Sequence, residues 1–341
     1  SRRVTSGDSF ICLPKGDTYI KDALDKGALE VIHMDRMEFA IHAHDYYDHP
    51  TKECCLIGVT GTNGKTSVTY FLSQLLEGFG NKVLVIGTIN SSLTTPESWD
   101  LCQRIKQHVE QGGTHVILEV SSHGIDQYRV YGFDFNVKCL TNITQDHLDY
   151  HQTFDRYKAT KMGFMEDYSG ISIYPEDVSC IDAQYLPQFV GTFHLKNVSS
   201  ALFICQALGY TFDTLVPMLA TLTAPEGRFE TICMGQNFSV VVDFAHTPDG
   251  LDHVLKEAYH QVAGDRQRLT VVFGCGGDRD SKKRPLMGAV AEKFSNNIIL
   301  TADNSRSEDT GMILDNIKDG IQNKDCIKGV FEDRCQAIQY A

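Results

Sequence analysis

Cysteines at metal-ligand spacing are the first thing this chain lacks: it has 11 cysteines, and none belongs to a C-x-x-C unit. An odd count without that spacing argues against a zinc ribbon or a disulfide framework, and suits thiols kept reduced in a cytoplasmic setting. No apolar run approaches the ~20 residues a helix needs to span a bilayer, so no membrane partner is expected. Positive charge is also scarce, with 31 Lys and Arg against 44 Asp and Glu and a net charge of −13. That balance argues against a general binder of nucleic acid or membrane surfaces, while leaving room for a local basic pocket. Repeats and low-complexity tracts are missing too. The chain opens on Ser1-Arg2-Arg3 and stops at Tyr340-Ala341 inside a helix-like stretch, as a piece of a longer protein would.

What is present is ordinary globular material, 42% hydrophobic and 22% charged over 341 residues, too long for a single core. The pattern predicts an α/β protein of three domains. Residues 1–50 alternate short apolar runs (10–13 and 29–32) with a helical stretch at 19–26, a small α/β module. Residues 51–234 alternate strand and helix; continuous apolar runs at 82–88, 114–122 and 137–143 suit strands buried on both faces of a parallel sheet. Helical spacing marks 101–111 and 198–208. From 235 to 341 the alternation restarts, with strands at 240–243, 269–274 and 298–303, predicting a second doubly wound, Rossmann-like domain. His42, His44 and His49 lie close together, but no thiol or acidic partner stands at ligand spacing.

The densest chemistry lies at residues 56–67, L-I-G-V-T-G-T-N-G-K-T-S, followed by an amphipathic segment. A strand, a glycine turn and a helix start present backbone N–H groups to a polyphosphate. Gly61, Thr62, Asn63 and Gly64 would form the turn, Lys65 would reach the outer phosphates, and the Thr66 hydroxyl would help hold Mg²⁺. The general P-loop spacing is not met, because Val59 stands where its first glycine belongs.

Ligands of open parallel sheets bind beyond the carboxyl ends of the strands, and polar residues gather at those predicted ends. They are Thr94 and Thr95, then Glu119, Ser121, Gln127 and Arg129, then Thr141 to Asp149. By chemistry alone Glu119 suits Mg²⁺ well and His147 poorly, and Arg129 is a fork for a carboxylate or phosphate. Gly274-Cys-Gly-Gly-Asp278 fails the dinucleotide spacing and reads as a tight turn at a ligand.

The string G-T-N-G-K-T resembles the Mur ligase and folylpolyglutamate synthetase superfamily. With T-T-P, L-E-V-S-S-H-G-I-D-Q-Y-R, L-T-N-I-T-Q-D-H-L-D-Y-H, Y-K-A-T-K, E-G-R-F-E, V-D-F-A-H-T-P-D and D-N-S-R-S-E, in order along the whole chain, it resembles the Mur ligases that add the third residue of the peptidoglycan stem. The resemblance implies an ATP- and Mg²⁺-dependent amide ligase, expected to be a cytoplasmic monomer, acting on UDP-N-acetylmuramoyl dipeptide and meso-diaminopimelate. It assigns catalysis to Lys65, Glu119, His147 and Lys161, and metal to Thr66, Glu119, His147 and Lys161. Lys161 is implied to carry a carbamate, an oxygen-donating anion where a bare ammonium would be repelled by the metal. Asn197, Arg228 and Asp243 are assigned to ATP with the loop. Ser1, Thr94, Thr95, Ser121, Gln127 and Arg129 are assigned to the sugar-dipeptide, and Asp303, Asn304 and Arg306 to the incoming amino acid. Arg306 could pair with its far carboxylate, which lysine lacks.

Some features depart from that pattern. His194 stands where the family usually has Asn near adenine, Ser305 replaces a proline, and the chain ends before a C-terminal G-K-G-H-E region. The segments at 89–93 and 168–191 are short for the family. Alternatives are therefore a lysine-adding or folate-type ligase, or a nucleotide-binding relative without catalysis.

Overall fold

The protein, as a computed structural model, is described over residues 4–187, 189 and 192–341. Ser1, assigned above to the sugar nucleotide, lies outside them. The first unit pairs β1 (Ser9–Cys12) with β2 (Glu30–His33) in parallel, with helices at Ile20–Asp25 and Arg36–Tyr46. The second helix was not predicted, since its apolar and polar residues are mixed around the barrel. It starts at an Asp35–Glu38 capping box, with each side chain bonding the other's backbone N–H.

The central sheet holds β3 (Cys55–Thr60), β4 (Val83–Ile86), β5 (His115–Glu119), β6 (Val137–Leu140) and β7 (Ile171–Ile173), all parallel, in the order β4-β5-β3-β6-β7. Its alternating side chains feed two cores. Ile57, Val59, Ile117, Val137 and Cys139 pack with the helices Lys65–Gly78 and Thr192–Ala207. Leu56, Val116, Leu118 and Leu140 pack with Ser98–Glu110 and Phe154–Asp167. Burial on both faces explains why these strands read as continuous apolar runs. Because β3 lies between β5 and β6, the crevice at its carboxyl end is the switch point where such sheets take ligands.

β8 (Glu230–Ile232) and β9 (Val240–Val242) form an antiparallel hairpin. Two expectations change here. The run at 240–243 does not join the C-terminal parallel sheet, which is β10 (Thr270–Phe273), β11 (Asn297–Thr301) and β12 (Ile327–Phe331) among the described residues. A boundary between 234 and 235 would also cut the hairpin; placing it ahead of Glu230 keeps the pair whole. Helices Pro248–Gln261, Lys283–Phe294 and Thr310–Asp319 share one core with the three strands.

Candidate active site

The turn after β3 is shaped by two glycines. Gly61 has φ +147°, and a Cβ there would lie 1.9 Å from Thr141 Oγ1; Gly64, at φ +86°, opens the helix Lys65–Gly78 and would meet Asn197 Oδ1 at 2.7 Å. Neither position accepts a side chain. The turn is pinned from β6's exit: Thr141 Oγ1 donates to the Asn63 carbonyl (2.6 Å), Asn63 N–H to Asn142 Oδ1 (2.9 Å), and Thr144 N–H to Thr62 Oγ1 (2.9 Å). Lys65 curls back, its Nζ donating to the carbonyls of Gly61 (2.8 Å) and Thr62 (2.9 Å). Burial lowers its pKa, against the pull of Glu119 and Asp146.

Glu119 ends β5 almost fully buried, at 1% exposure. Thr66 Oγ1 donates to its Oε2 (3.1 Å), as does Thr88 Oγ1 (3.1 Å), while Thr88 N–H donates to Oε1 (3.0 Å). A Cβ at Gly87 would lie 2.2 Å from Oε1, so a glycine there lets the carboxylate cross between strands. Arg228 Nη2 donates to Thr66 Oγ1 (3.2 Å), and its guanidinium lies 4.8 Å from the Phe244 ring centroid. Asp243 accepts from the N–H groups of Phe229 (2.8 Å) and Ala245 (2.7 Å), and burial raises its pKa.

A second branch carries the residues assigned to the sugar-dipeptide. Thr94 Oγ1 is 3.2 Å from Thr88 Oγ1, and Thr95 Oγ1 donates to the Glu119 carbonyl (2.8 Å) beside Ser121 Oγ (3.0 Å). Arg129 is not a free fork. It donates to the Thr95 carbonyl (2.7 Å) and Gln127 Oε1 (2.6 Å), and its Nε lies 3.2 Å from Glu97. In this arrangement it positions Thr95 and Gln127.

Lys161 is buried beneath the turn, with Nζ donating to the Gly61 carbonyl (2.9 Å) and Thr60 Oγ1 (3.3 Å) and lying 5.1 Å from the Tyr157 ring centroid. Among the described residues no carboxylate forms an ion pair with it. Burial, with Lys65 nearby, puts its pKa well below the lysine range. His147 takes a left-handed backbone (φ 54°) that places Nε2 3.3 Å from Asp146 Oδ2, and burial holds the imidazole neutral.

Sequence reasoning passed over Thr88, His246 and Lys283, and placed Asp146 only within the polar stretch 141–149, without a role. Asp146 is the point where the C-terminal unit meets the central one, with Lys283 Nζ 3.7 Å and His246 Nε2 3.8 Å from its carboxylate. Burial pushes that carboxyl up, but His147, Lys283 and His246 outweigh it and hold its pKa low. Asn63 Nδ2 also donates across the units, to Asp249 Oδ2 (3.1 Å). The signals available in the sequence were slight: Asp146 sits in T-Q-D-H, His246 in F-A-H-T-P-D, Thr88 at the end of the apolar run 82–88, and Lys283 a few residues after the glycine turn at 274–278. The amino-acid triad lies on the C-terminal sheet's own edge. Arg306 Nη1 donates to the Gly277 carbonyl (2.6 Å), Gly277 N–H to the Asn304 carbonyl (2.8 Å), and Asp303 pairs with Arg334 (2.9 Å).

His194, the departure near adenine, is buried among rings, stacked on Phe189 (5.2 Å) and close to Phe193 (4.3 Å). Of the three histidines of the first unit, His42 stacks on Trp99, while His44 sits edge-on to Phe133 and stacks with His49 (6.0 Å between ring centroids).

The donor set fits a hard divalent cation at the phosphate turn, since Thr66 and Glu119 offer buried oxygens and His147 is neutral. A glycine turn at a switch point, with a buried carboxylate and an amine below it, defines a nucleotide-dependent phosphoryl-transfer site. Comparison with known proteins narrows this class. Residues 59–204 match the Mur ligase middle domain, and residues 227–341 match the Mur ligase glutamate ligase domain. The UDP-N-acetylmuramoyl-L-alanyl-D-glutamate–2,6-diaminopimelate ligase of Geobacillus thermodenitrificans is 34% identical over 100% of this chain and 85% of its own length. That of Clostridioides difficile is also 34% identical, over the same shares. A solved structure of a ligase of that name covers 99% of this chain, 84% of its own, at 27% identity and a TM-score of 0.60. A folylpolyglutamate synthase of Mycobacterium tuberculosis, complexed with ADP and AMPPCP, shares the fold (TM-score 0.71, 16% identity, 89% and 87% of the two chains). The chain belongs to the Mur ligase family, whose members are ATP-dependent amide ligases.

Proposed function

We propose that this ligase joins meso-diaminopimelate to UDP-N-acetylmuramoyl-L-alanyl-D-glutamate, at the expense of ATP, in peptidoglycan precursor synthesis. The observation that carries the reading is the run of contacts from Thr66 through Glu119 and Thr88 to Thr94, which joins the phosphate turn to the sugar-dipeptide branch. Backbone N–H groups of residues 61–66, with Lys65 and Arg228, would hold the ATP phosphates; Asn197 and Asp243 would hold the rest of the nucleotide. Thr94, Thr95, Ser121 and Gln127, kept in place by Arg129, would bring the dipeptide's terminal carboxylate in line with the γ-phosphorus. A carboxylate oxygen attacks phosphorus, ADP leaves, and the acyl phosphate then loses inorganic phosphate to the attacking amine, giving an amide.

Thr66, Glu119, His147 and a carbamylated Lys161 would hold Mg²⁺, which supplies charge neutralisation to the transferring group. An uncharged buried amine is the form that combines with carbon dioxide, and the burial of Lys161, with Lys65 nearby, outweighs the pull of Asp146 and favours it. The chain's remaining contribution is alignment, which substitutes for the entropy of bringing three reactants together. Asp303, Asn304 and Arg306 would select the amino acid.

Phosphate release with UDP-N-acetylmuramoyl-L-alanyl-D-glutamate, measured across a panel of amines, tests the reading. Dependence on meso-diaminopimelate supports it, and dependence on lysine overturns the amino-acid assignment. Tight ATP binding without turnover for any amine overturns catalysis.

A further inference from the structure

The first unit has almost no core. Ahead of Pro50, its buried apolar side chains among the described residues are Cys12, Ala23, Ala40 and Ala43, none larger than a thiol or methyl group. Two parallel strands on such a base are marginal alone, and units of this kind are commonly held by a cross-link. At the carboxyl ends of those strands three donor atoms converge. Cys12 and His33 close β1 and β2 and are direct partners in the parallel register, which puts both side chains on one face. Asp17 is brought over them by the turn 13–16, where Gly16 N–H donates to the Leu13 carbonyl (2.8 Å). A Cβ at Gly16 would lie 3.3 Å from Cys12 Sγ and 2.8 Å from that carbonyl, so the turn closes because the position is glycine.

Cys12 Sγ is 3.8 Å from Asp17 Oδ1, and one donor atom each from Cys12, Asp17 and His33 falls within 4.8 Å of the others. No other trio of His, Cys, Asp or Glu among the described residues comes together this way. Donors bonded to one tetrahedral ion at ~2.0–2.3 Å lie roughly 3.3–3.8 Å apart, so the trio is near ligating geometry without backbone movement.

We infer that Cys12, Asp17 and His33 form a binding site for a borderline divalent cation of the zinc type, with water as fourth ligand. Thiolate, imidazole and carboxylate together select such an ion over Mg²⁺, which takes oxygen ligands. Burial and the neighbouring carboxylate raise the Cys12 thiol's pKa, a repulsion that a cation between the two groups would relieve. On binding, the thiol proton passes to solvent and a metal–sulfur bond replaces the S–H bond. The ion would tie the end of β1 to the end of β2 and to the turn between them. It would be separate from the oxygen-rich site on the central sheet.

The test is a titration of the full chain with Co²⁺ under reducing conditions, with Mg²⁺ in excess to occupy oxygen sites. The expected result is a near-ultraviolet sulfur-to-cobalt charge-transfer band that saturates at one Co²⁺ per chain and is displaced by Zn²⁺. Asp17 and His33 are exposed, so Asp17→Asn and His33→Ala should fold and weaken binding by roughly tenfold or more. Cys12→Ser should abolish the band. Zn²⁺ should raise the Tm of the parent chain more than that of the His33 variant. Absence of the band overturns the inference, as does a band of unchanged affinity in the Asp17 and His33 variants. The latter would place the cobalt on an exposed thiol such as Cys180, Cys233 or Cys335.

Discussion

Thr66 Oγ1 donates a hydrogen bond to Glu119 Oε2 across 3.1 Å, although 53 positions separate them in the chain. The first residue lies in the opening turn of the helix after β3 and the second closes β5, and the two strands are neighbours. The bond thus ties the phosphate turn to the adjacent strand's carboxyl end. Glu119→Gln keeps the shape and removes the anion. It should lower kcat by about 10²-fold or more, the cost of losing a preorganised group at developing charge. It should also raise the Mg²⁺ concentration needed for half-maximal rate; phosphate release against Mg²⁺ measures both. The Tm should also fall modestly, because the amide keeps one acceptor oxygen for the threonine hydroxyls and leaves the Thr88 N–H facing an NH2 group.

Lys161→Arg separates the carbamate reading from a simple cation. Guanidinium stays charged and cannot form the carbamate, so activity should fall by about 10²-fold or more. A positional role for positive charge would leave Arg partly active. Carbon-13 spectra of the parent chain in labelled bicarbonate should show a carbamate resonance that the variant lacks.

His194 gives a stability test with a definite sign. Burial brings its pKa from 6.5 to about 4, so the unfolded chain takes up a proton that the folded chain refuses. Stability from this group is complete above pH 6.5 and is lost as pH falls toward 4, amounting to about 2 kcal/mol by pH 5. His44, lowered by burial to about 4 as well, acts in the same direction. His194→Phe keeps ring packing against Phe189 and Phe193 and removes the titration. Denaturant midpoints for this variant should be flatter between pH 7 and 5 than those of the parent chain.

Arg306 is exposed, and its Nη1 donates to the Gly277 and Asn304 carbonyls. Arg306→Ala should raise KM for meso-diaminopimelate by roughly 10–100-fold, the range for losing charge-assisted hydrogen bonds. KM for ATP should stay unchanged. Arg306→Lys should recover only part, since an ammonium cannot make the bidentate pair.

Much of this could be read along the chain because each feature is local. Continuous apolar runs announced parallel strands buried on both faces, and Gly61 and Gly64 announced backbone shapes closed to other residues. The run at 240–243 was misassigned because a strand's partner is not written in its own residues. Its pairing with Glu230–Ile232 depends on a turn that period and propensity do not encode.

The order of residues therefore determined the glycine turn, the helix that opens at Lys65, and the clustering of polar groups at strand ends. Only the folded chain decided that Arg129 is already bound by Thr95, Gln127 and Glu97, or that Asp146 receives Lys283 and His246 from the next unit. The division has a physical cause. Local sequence sets backbone conformation and burial pattern over a few residues. Which charges meet, and which amine is shut away from water, is fixed when distant segments pack together.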